Sequence, residues 1–349
     1  SQVTQLYNEI QCVPTIVPTN NFNTVLYTGN GSTQAITGTG FQPDLTWVKS
    51  RNINYDHQLH DSVRGAGYGI MSNNTTAQFF YDTITSFDSN GFTVDANSYI
   101  GTNASSQDFV AWNWKAGGAA VSNTDGTITG QVSANVDAGF SIVKYVGNLT
   151  AGATVGHGLS EVPEMIIIKE TTQSTGGWIT YHSAIGNTGA VYLNLTSQTI
   201  TAAGFWNNTS PTSSVFSLGY NGETNDSGQT NIAYCFHSVD GFSKIGSYVG
   251  TGATGNTIIT GFRPAFIMIK RASAGATTGW FMLDNKRSTG SVWDERLQAD
   301  TSSAEAGPDS YTITTSSNGF EPTGSFATFS GSNASGATYI FMAFAADPT

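Results

Sequence analysis

Charge is what this sequence has least of. Only 11% of its 349 residues are Asp, Glu, Lys or Arg, 13 basic against 24 acidic, for a net charge of −11. So sparse and negative a balance argues against nucleic acid and anionic membrane as partners. Cysteine is nearly absent. Cys12 and Cys235 cannot build a disulfide framework, and a bridge between them would need the two side by side in space. Cys235 alternates with Tyr234 and Phe236 and reads as a small buried thiol. No apolar run approaches the roughly 20 residues that span a bilayer as a helix, so no membrane insertion is expected. No signal peptide stands at the start. The motifs of common chemistries are missing too: no Gly-x-Ser-x-Gly elbow, no Walker loop, no His-Glu-x-x-His, no Cys-x-x-Cys. Acidic residues are scattered through turns and do not recur as matched pairs. The sequence therefore assigns no catalytic, cofactor-binding or metal-ligating residue, and the chain is not expected to be an enzyme.

Aromatic residues, at 12%, and 40 glycines are what the chain has instead, set among Asn, Ser and Thr. That composition suits rigid β-structure and not disorder. One pattern occurs three times: Pro43-Asp-Leu-Thr-Trp47-Val-Lys49, Pro163-Glu-Met-Ile-Ile-Ile-Lys169 and Pro264-Ala-Phe-Ile-Met-Ile-Lys270. A proline, two residues, a short apolar run and a lysine describe a strand buried on both faces. The proline sits where a missing N–H costs least, and the lysine is expected to carry its charge to water. Upstream of each spine lies an aromatic-glycine entry at Tyr27, Tyr145 and Tyr248. Downstream lies a second strand carrying Asp61, His182 and Asp284 in one column, and each repeat closes on Phe109–Trp114, Asn231–Phe236 or Tyr339–Phe344. The mixed chemistry of that column excludes a catalytic role. Four landmarks in constant order, three times, define a tandem repeat.

About eight short strands per repeat predict an all-β fold: three tandem antiparallel β-sandwiches of jelly-roll or concanavalin-like type. The boundaries read as an N-terminal connector over 1–21, repeat 1 over 22–116, a linker over 117–138 with one small hairpin, repeat 2 over 139–237, and repeat 3 over 238–349. The Gly/Ala/Ser-rich linker predicts a loose first joint, and the short junction after His237 a rigid second one. Alternation places Trp112 and Trp114, Tyr234 and Phe236, and Met342 and Phe344 in the core, with Trp47 from the spine. For Trp112 and Trp114 an exposed sugar platform is the competing reading.

The densest charge lies between Lys49 and Arg64. His57 and His60 there share columns with Trp178 and Trp280 and with Tyr181 and Leu283, which makes them packing positions and not metal ligands. Arg51, Tyr55, Asp56 and Arg64 are the candidate surface-contact loop, because polar groups on a rigid scaffold are where binding concentrates. Asn-x-Ser/Thr triplets at Asn30, Asn148, Asn194 and Asn333 read as chance in so Asn-rich a chain.

Assembled, these motifs resemble a repeated domain of tailed-phage virion proteins of the marine and cyanophage type. The resemblance rests on Tyr27-Thr-Gly-Asn-Gly31, Gly40–Lys49, His60–Gly65 and Val110–Gly118. It continues through Gly156-His-Gly158, Trp206–Pro211, Ser214–Gly219, Ile232–Phe236 and Gly261–Arg271, and so covers nearly all of 22–349. Leu6-Tyr7-Asn8 resembles the final turn of laminin-G-like domains, which implies a further domain upstream. The resemblance implies a structural protein of the extracellular particle, foremost a tail fibre or receptor-binding appendage touching a host surface glycan or protein. A capsid decoration or head-fibre protein, and a secreted glycan-binding module, are the alternatives. Analogy with fibres adds a homotrimer among other virion proteins, although no heptad segment encodes one. No cofactor is implied.

Overall fold

Each spine becomes a strand almost wholly out of solvent: Leu45–Ser50 (β3), Met165–Glu170 (β14) and Pro264–Arg271 (β22). Beside each runs the closing strand, Asp108–Trp114 (β9), Thr230–Phe236 (β19) or Thr338–Ala345 (β28). On its other edge lies the entry strand, Phe22–Thr28 (β1), Phe140–Val146 (β12) or Ser243–Val249 (β20), every pair antiparallel. The computed structural model describes residues 16–81, 83–96, 101–201, 203–274, 277–307, 311–323 and 331–347. Leu6, Tyr7, Asn8 and Cys12 lie outside them. Around these three-strand centres grow sheets of six, eight and five strands, backed by smaller sheets of three, two and four. Two four-residue helices, Ala203–Trp206 and Gly222–Asn225, are the α-helices among the described residues. The fold is the all-β, two-sheet sandwich that the strand pattern predicted.

A strand apolar on both faces needs two cores, and each repeat has them. One face of each large sheet packs on its own small sheet. Val48, Phe92 and Ala111 share a cluster in repeat 1, Ile168, Phe216 and Ala233 in repeat 2, and Ile267, Phe320 and Phe341 in repeat 3. The opposite faces of all three large sheets meet in a single core. Trp47, Trp112 and Trp114 lie there with Ile167, Tyr234 and Phe236, and with Phe266, Met342 and Phe344. Ring contacts cross the repeats, Trp112 to Phe266 at 5.8 Å, Phe236 to Phe344 at 6.2 Å and Phe22 to Phe344 at 4.8 Å. The void left at the centre is only about 10 Å³. Trp112 is fully buried and Trp114 3% exposed, so neither is a sugar platform.

The repeats are therefore arranged around a shared axis and not strung as beads, and their contacts run in one rotary sense. The Glu305 amide of repeat 3 donates to the Arg51 carbonyl of repeat 1, Gln78 of repeat 1 to Thr171 of repeat 2, and Thr199 of repeat 2 to Ala272 of repeat 3, at 2.7–2.9 Å. All three acceptors lie two residues beyond the spine lysine. In the column of His57, Trp178 and Trp280, each ring reaches a main-chain carbonyl next door: His57 Nε2 to Gln298 at 2.9 Å, Trp178 Nε1 to Met71 and Trp280 Nε1 to Tyr192 at 2.8 Å. The Trp47 indole donates to His57 Nδ1 at 2.8 Å, which fixes the Nε2–H tautomer. Trp112 Nε1 donates to Asp284 at 3.0 Å and Tyr234 Oη to Asp61 at 2.8 Å. Three sandwiches in one chain close on themselves as a pseudo-trimer.

Three sequence expectations fail against this arrangement. Residues 117–138 are not a linker: Val121–Asn123 (β10) and Gly130–Asn135 (β11) do form a hairpin, but it extends the large sheet of repeat 2 alongside β12. Their Val132 belongs to that repeat's own core. The first joint is consequently no looser than the second, because the common core spans both. The spine lysines do not reach water either. Lys49, Lys169 and Lys270 are fully buried, with their ammonium groups on main-chain carbonyls. Lys169 and Lys270 reach across a joint, to Thr75 and Leu195. Burial holds all three down to about 8. A hydrophobic shell that continues into the next repeat leaves the chain end of the strand no route to solvent.

Buried histidines make the assembly acid-sensitive. Burial, partly offset by the Ala66 carbonyl, lowers His60 to about 4, and burial, partly offset by the Phe341 carbonyl across the joint, lowers His182 to about 4. Below the unfolded value near 6.5 the unfolded chain binds protons that the native chain refuses, so stability present at neutral pH is lost as pH falls from about 6.5 towards 4. Each histidine can remove roughly 3 kcal/mol by the bottom of that window. Melting temperature should fall across the range. His60→Gln with His182→Gln should flatten the slope, and an unchanged slope in the double variant would exclude these residues as its source.

Candidate interaction surface

The charged loop of repeat 1 is a joint and not a contact surface. Arg51 pairs with Glu305 at 2.7 Å and Glu295 at 2.9 Å, both in repeat 3. Arg64 is buried, its Nε on Asp61 at 2.5 Å and its other nitrogens on the carbonyls of Leu59 and Tyr68. The Asp56 carboxylate accepts from Asn73 at 2.6 Å. Tyr55 is half-buried against Gly101, where a side chain would come within 2.6 Å of it. All four expected contact residues are thus occupied in holding repeat 1 together or fastening it to repeat 3. Asp284 and Arg287 repeat the Asp61–Arg64 pair at 2.6 Å, and Arg287 extends to Glu305. In repeat 2 the column carries His182 instead. The column that changes chemical type is the one that meets the neighbouring repeat.

A structural set escaped the sequence reading although its signal was present. Asn103, Asn225 and Asn333 are buried at equivalent points before each closing strand. Each side-chain oxygen accepts a main-chain amide, from Asn30, Asn148 and Thr251 at 2.9–3.1 Å. The carbonyl just before each one accepts the hydroxyl of the entry tyrosine, Tyr27 and Tyr145 at 2.6 Å and Tyr248 at 2.5 Å. The following glycine of each entry, at 29, 147 and 250, has no room for a side chain, which would lie 2.2–2.3 Å from the opposing carbonyl. Asn333 opens an Asn-x-Ser triplet that recurs in register at Asn103 and Asn225, so the triplet is a loop lock and not chance.

With those positions assigned to the scaffold, a difference between repeats 1 and 2 remains at the outer edge of their large sheets. At the edge of its large sheet, Tyr68–Ile70 (β5) pairs with Phe79–Phe80 (β6), placing Tyr68 opposite Phe80 and Gly69 opposite Phe79. The matching edge of repeat 2 pairs Gly189 with Thr201 and Ala190 with Ile200. Tyr68, Phe80 and Tyr81 are exposed, Phe80 by 57% and Tyr81 by 56%. The Tyr68 and Phe80 rings stand 4.9 Å apart at 56°, and Phe79 and Tyr81 5.7 Å apart on the other side of the strand. Gly69 permits this. A side chain there would run into the Phe79 ring at 2.3 Å. Tyr68 and Phe80 stand together on one side of this short edge and Tyr81 is exposed on the other, exposed rings of the sort that mark a binding surface. No sequence motif marked it, since Tyr-Gly-Ile and Phe-Phe-Tyr are 11 residues apart and ordinary in a strand-rich chain.

The edge adjoins a polar hollow of repeat 2. Gln78 and Ala77 donate to Thr171 and to the Ser174 hydroxyl, and the same 170–176 loop walls a cavity of about 320 Å³ lined by Glu170, Gln173, Asn221, Glu223 and Asp226. Each carboxylate there has partners. Glu170 takes the Gln173 amide at 2.9 Å, Glu223 the Gly177 amide and the Tyr192 hydroxyl, and Asp226 the Gln173 side chain. Among the described residues no three of His, Cys, Asp and Glu are grouped to hold a metal.

A family model described as a domain of unknown function, DUF7483, matches residues 17–348, and the chain belongs to that family. No curated protein and no solved structure matches it.

Proposed function

We propose that this member of the DUF7483 family is a non-enzymatic attachment protein of a phage particle, a tail-fibre or receptor-binding appendage, which meets the host surface through the aromatic edge of repeat 1. One observation carries the reading. On a body whose repeated positions are largely used in packing, the exposed rings Tyr68, Phe80 and Tyr81 set the sheet edge of repeat 1 apart from its counterpart in repeat 2, and they do so at the surface. Low charge and stiff β-domains suit a protein exposed on a particle. Three repeats give one chain a threefold grouping of its own. The proposal is therefore of a chain that acts as one such unit, with copies arrayed by other virion proteins so that weak contacts add. The carboxylates of the neighbouring hollow are engaged by amides and hydroxyls, which supports binding without cleavage.

The closed threefold body favours one second reading, a decoration protein seated on a capsid. Purified protein should bind susceptible cells and compete with particle adsorption, releasing no sugar. Absence of cell binding, with the chain located on the capsid shell in a particle reconstruction, would replace the first reading with the second.

A further inference from the structure

Resting on that reading, we infer that the aromatic edge takes an uncharged glycan, with one sugar ring against Phe80 and Tyr68 on one side of the strand and the chain passing over the free edge to Tyr81 on the other. The shape of the patch is the first reason. Its rings lie along a single two-stranded edge, a width suited to a sugar chain, whereas a protein partner would need roughly 800 Å² from each side. The chemistry around it is the second. Sugars present C–H faces beside hydroxyls, and the strand that carries the rings runs on from the neutral segment Thr76, Ala77 and Gln78, where Ala77 donates to the Ser174 hydroxyl of the loop that walls the hollow of Gln173 and Asn221. A phenol ring offers both an apolar face and a polar tip, the combination that lets Tyr serve as an anchor at low entropic cost.

Charge decides the class. The flanking hollow holds Glu170, Glu223 and Asp226, and the nearby cations are consumed elsewhere: Arg64 by Asp61, and Lys169 by the carbonyls of Thr75, Glu170 and Gly176. With a net charge of −11 over the whole chain, uronate- or sulfate-bearing chains are repelled at the encounter stage, and neither Arg64 nor Lys169 is free to pair with them.

The test uses the whole protein on an array of neutral oligosaccharides and of uronate- and sulfate-bearing ones. Binding is expected on neutral members only. Phe80→Ala and Tyr81→Ala should each weaken it roughly tenfold or more, and Phe80→Ala should leave the melting temperature in place, because its side chain is exposed. No binding to any neutral member, binding confined to acidic members, or binding indifferent to both substitutions would overturn the inference. Cell adsorption measured in parallel separates the two levels. Cells bound equally well by Phe80→Ala and wild type would remove the edge and keep the attachment function, whereas no cell binding by the wild type would remove the function itself.

Discussion

Trp112→Ala is expected to lower the stability of all three repeats together, by roughly 3–5 kcal/mol. The indole is completely buried, packs on Phe266 of repeat 3, and donates to Asp284 of the same repeat. Removing it leaves a cavity on the shared axis and takes one hydrogen bond from a buried carboxylate, so the loss belongs to no single sandwich. Calorimetry should show one cooperative transition, shifted as a whole. Three independent domains would instead give a shift in about a third of the unfolding enthalpy with the remainder unmoved, and that result would refute the common core.

A comparable loss is expected from Arg287→Met. Arg287 and Asp284 have no side-chain exposure, and the guanidinium also binds the Met282 carbonyl and Glu305. Methionine fills much of the volume and leaves the Asp284 carboxylate buried and short of its strongest partner. Breaking such a pair from one side costs on the order of 3–5 kcal/mol. Replacing both members, Asp284→Leu with Arg287→Met, should recover a large part of that loss, because the cost arises from the orphaned charge and not from the missing attraction. The Trp112 indole would still lack its acceptor, so recovery should stay incomplete. A double variant no more stable than Arg287→Met would mean that shape, and not charge, governs this point.

Much of the fold was legible because its causes are local. Alternation put Val110, Trp112 and Trp114 on one face, and a proline and a lysine bracketed each spine, so strands, repeats and core residues could be read directly. The common axis was legible in part. A spine such as Met165-Ile-Ile-Ile168, apolar without alternation, demanded two cores, while a lone sandwich offers one. What could not be read was the partner of the second face, because contacts such as Tyr234 to Asp61 join residues 173 apart and leave no periodic trace. The Gly/Ala-rich 117–138 stretch misled for a similar reason. Composition suggested freedom, but pairing with an existing strand edge supplied the order. The aromatic edge was invisible because its rings are distinguished only by exposure, and exposure is a property of the assembled body.

The ring of contacts is covalent at two of its joints and open at the third, between repeats 3 and 1. That opening coincides with the chain's charge. Arg51 grips Glu295 and Glu305 there, whereas Thr171 and Ala272 fill the same position at the other two joints. Thr19 adds two bonds to Asp347, at 2.6 and 3.1 Å. The molecule is thus a split washer whose cut is held by ions. Strain along the chain or a rise in ionic strength acts on that cut before it acts on either continuous joint, because these pairs are partly open to solvent and subject to screening. The density of charge that first drew attention to this loop is what lets a linear chain behave as a closed circle.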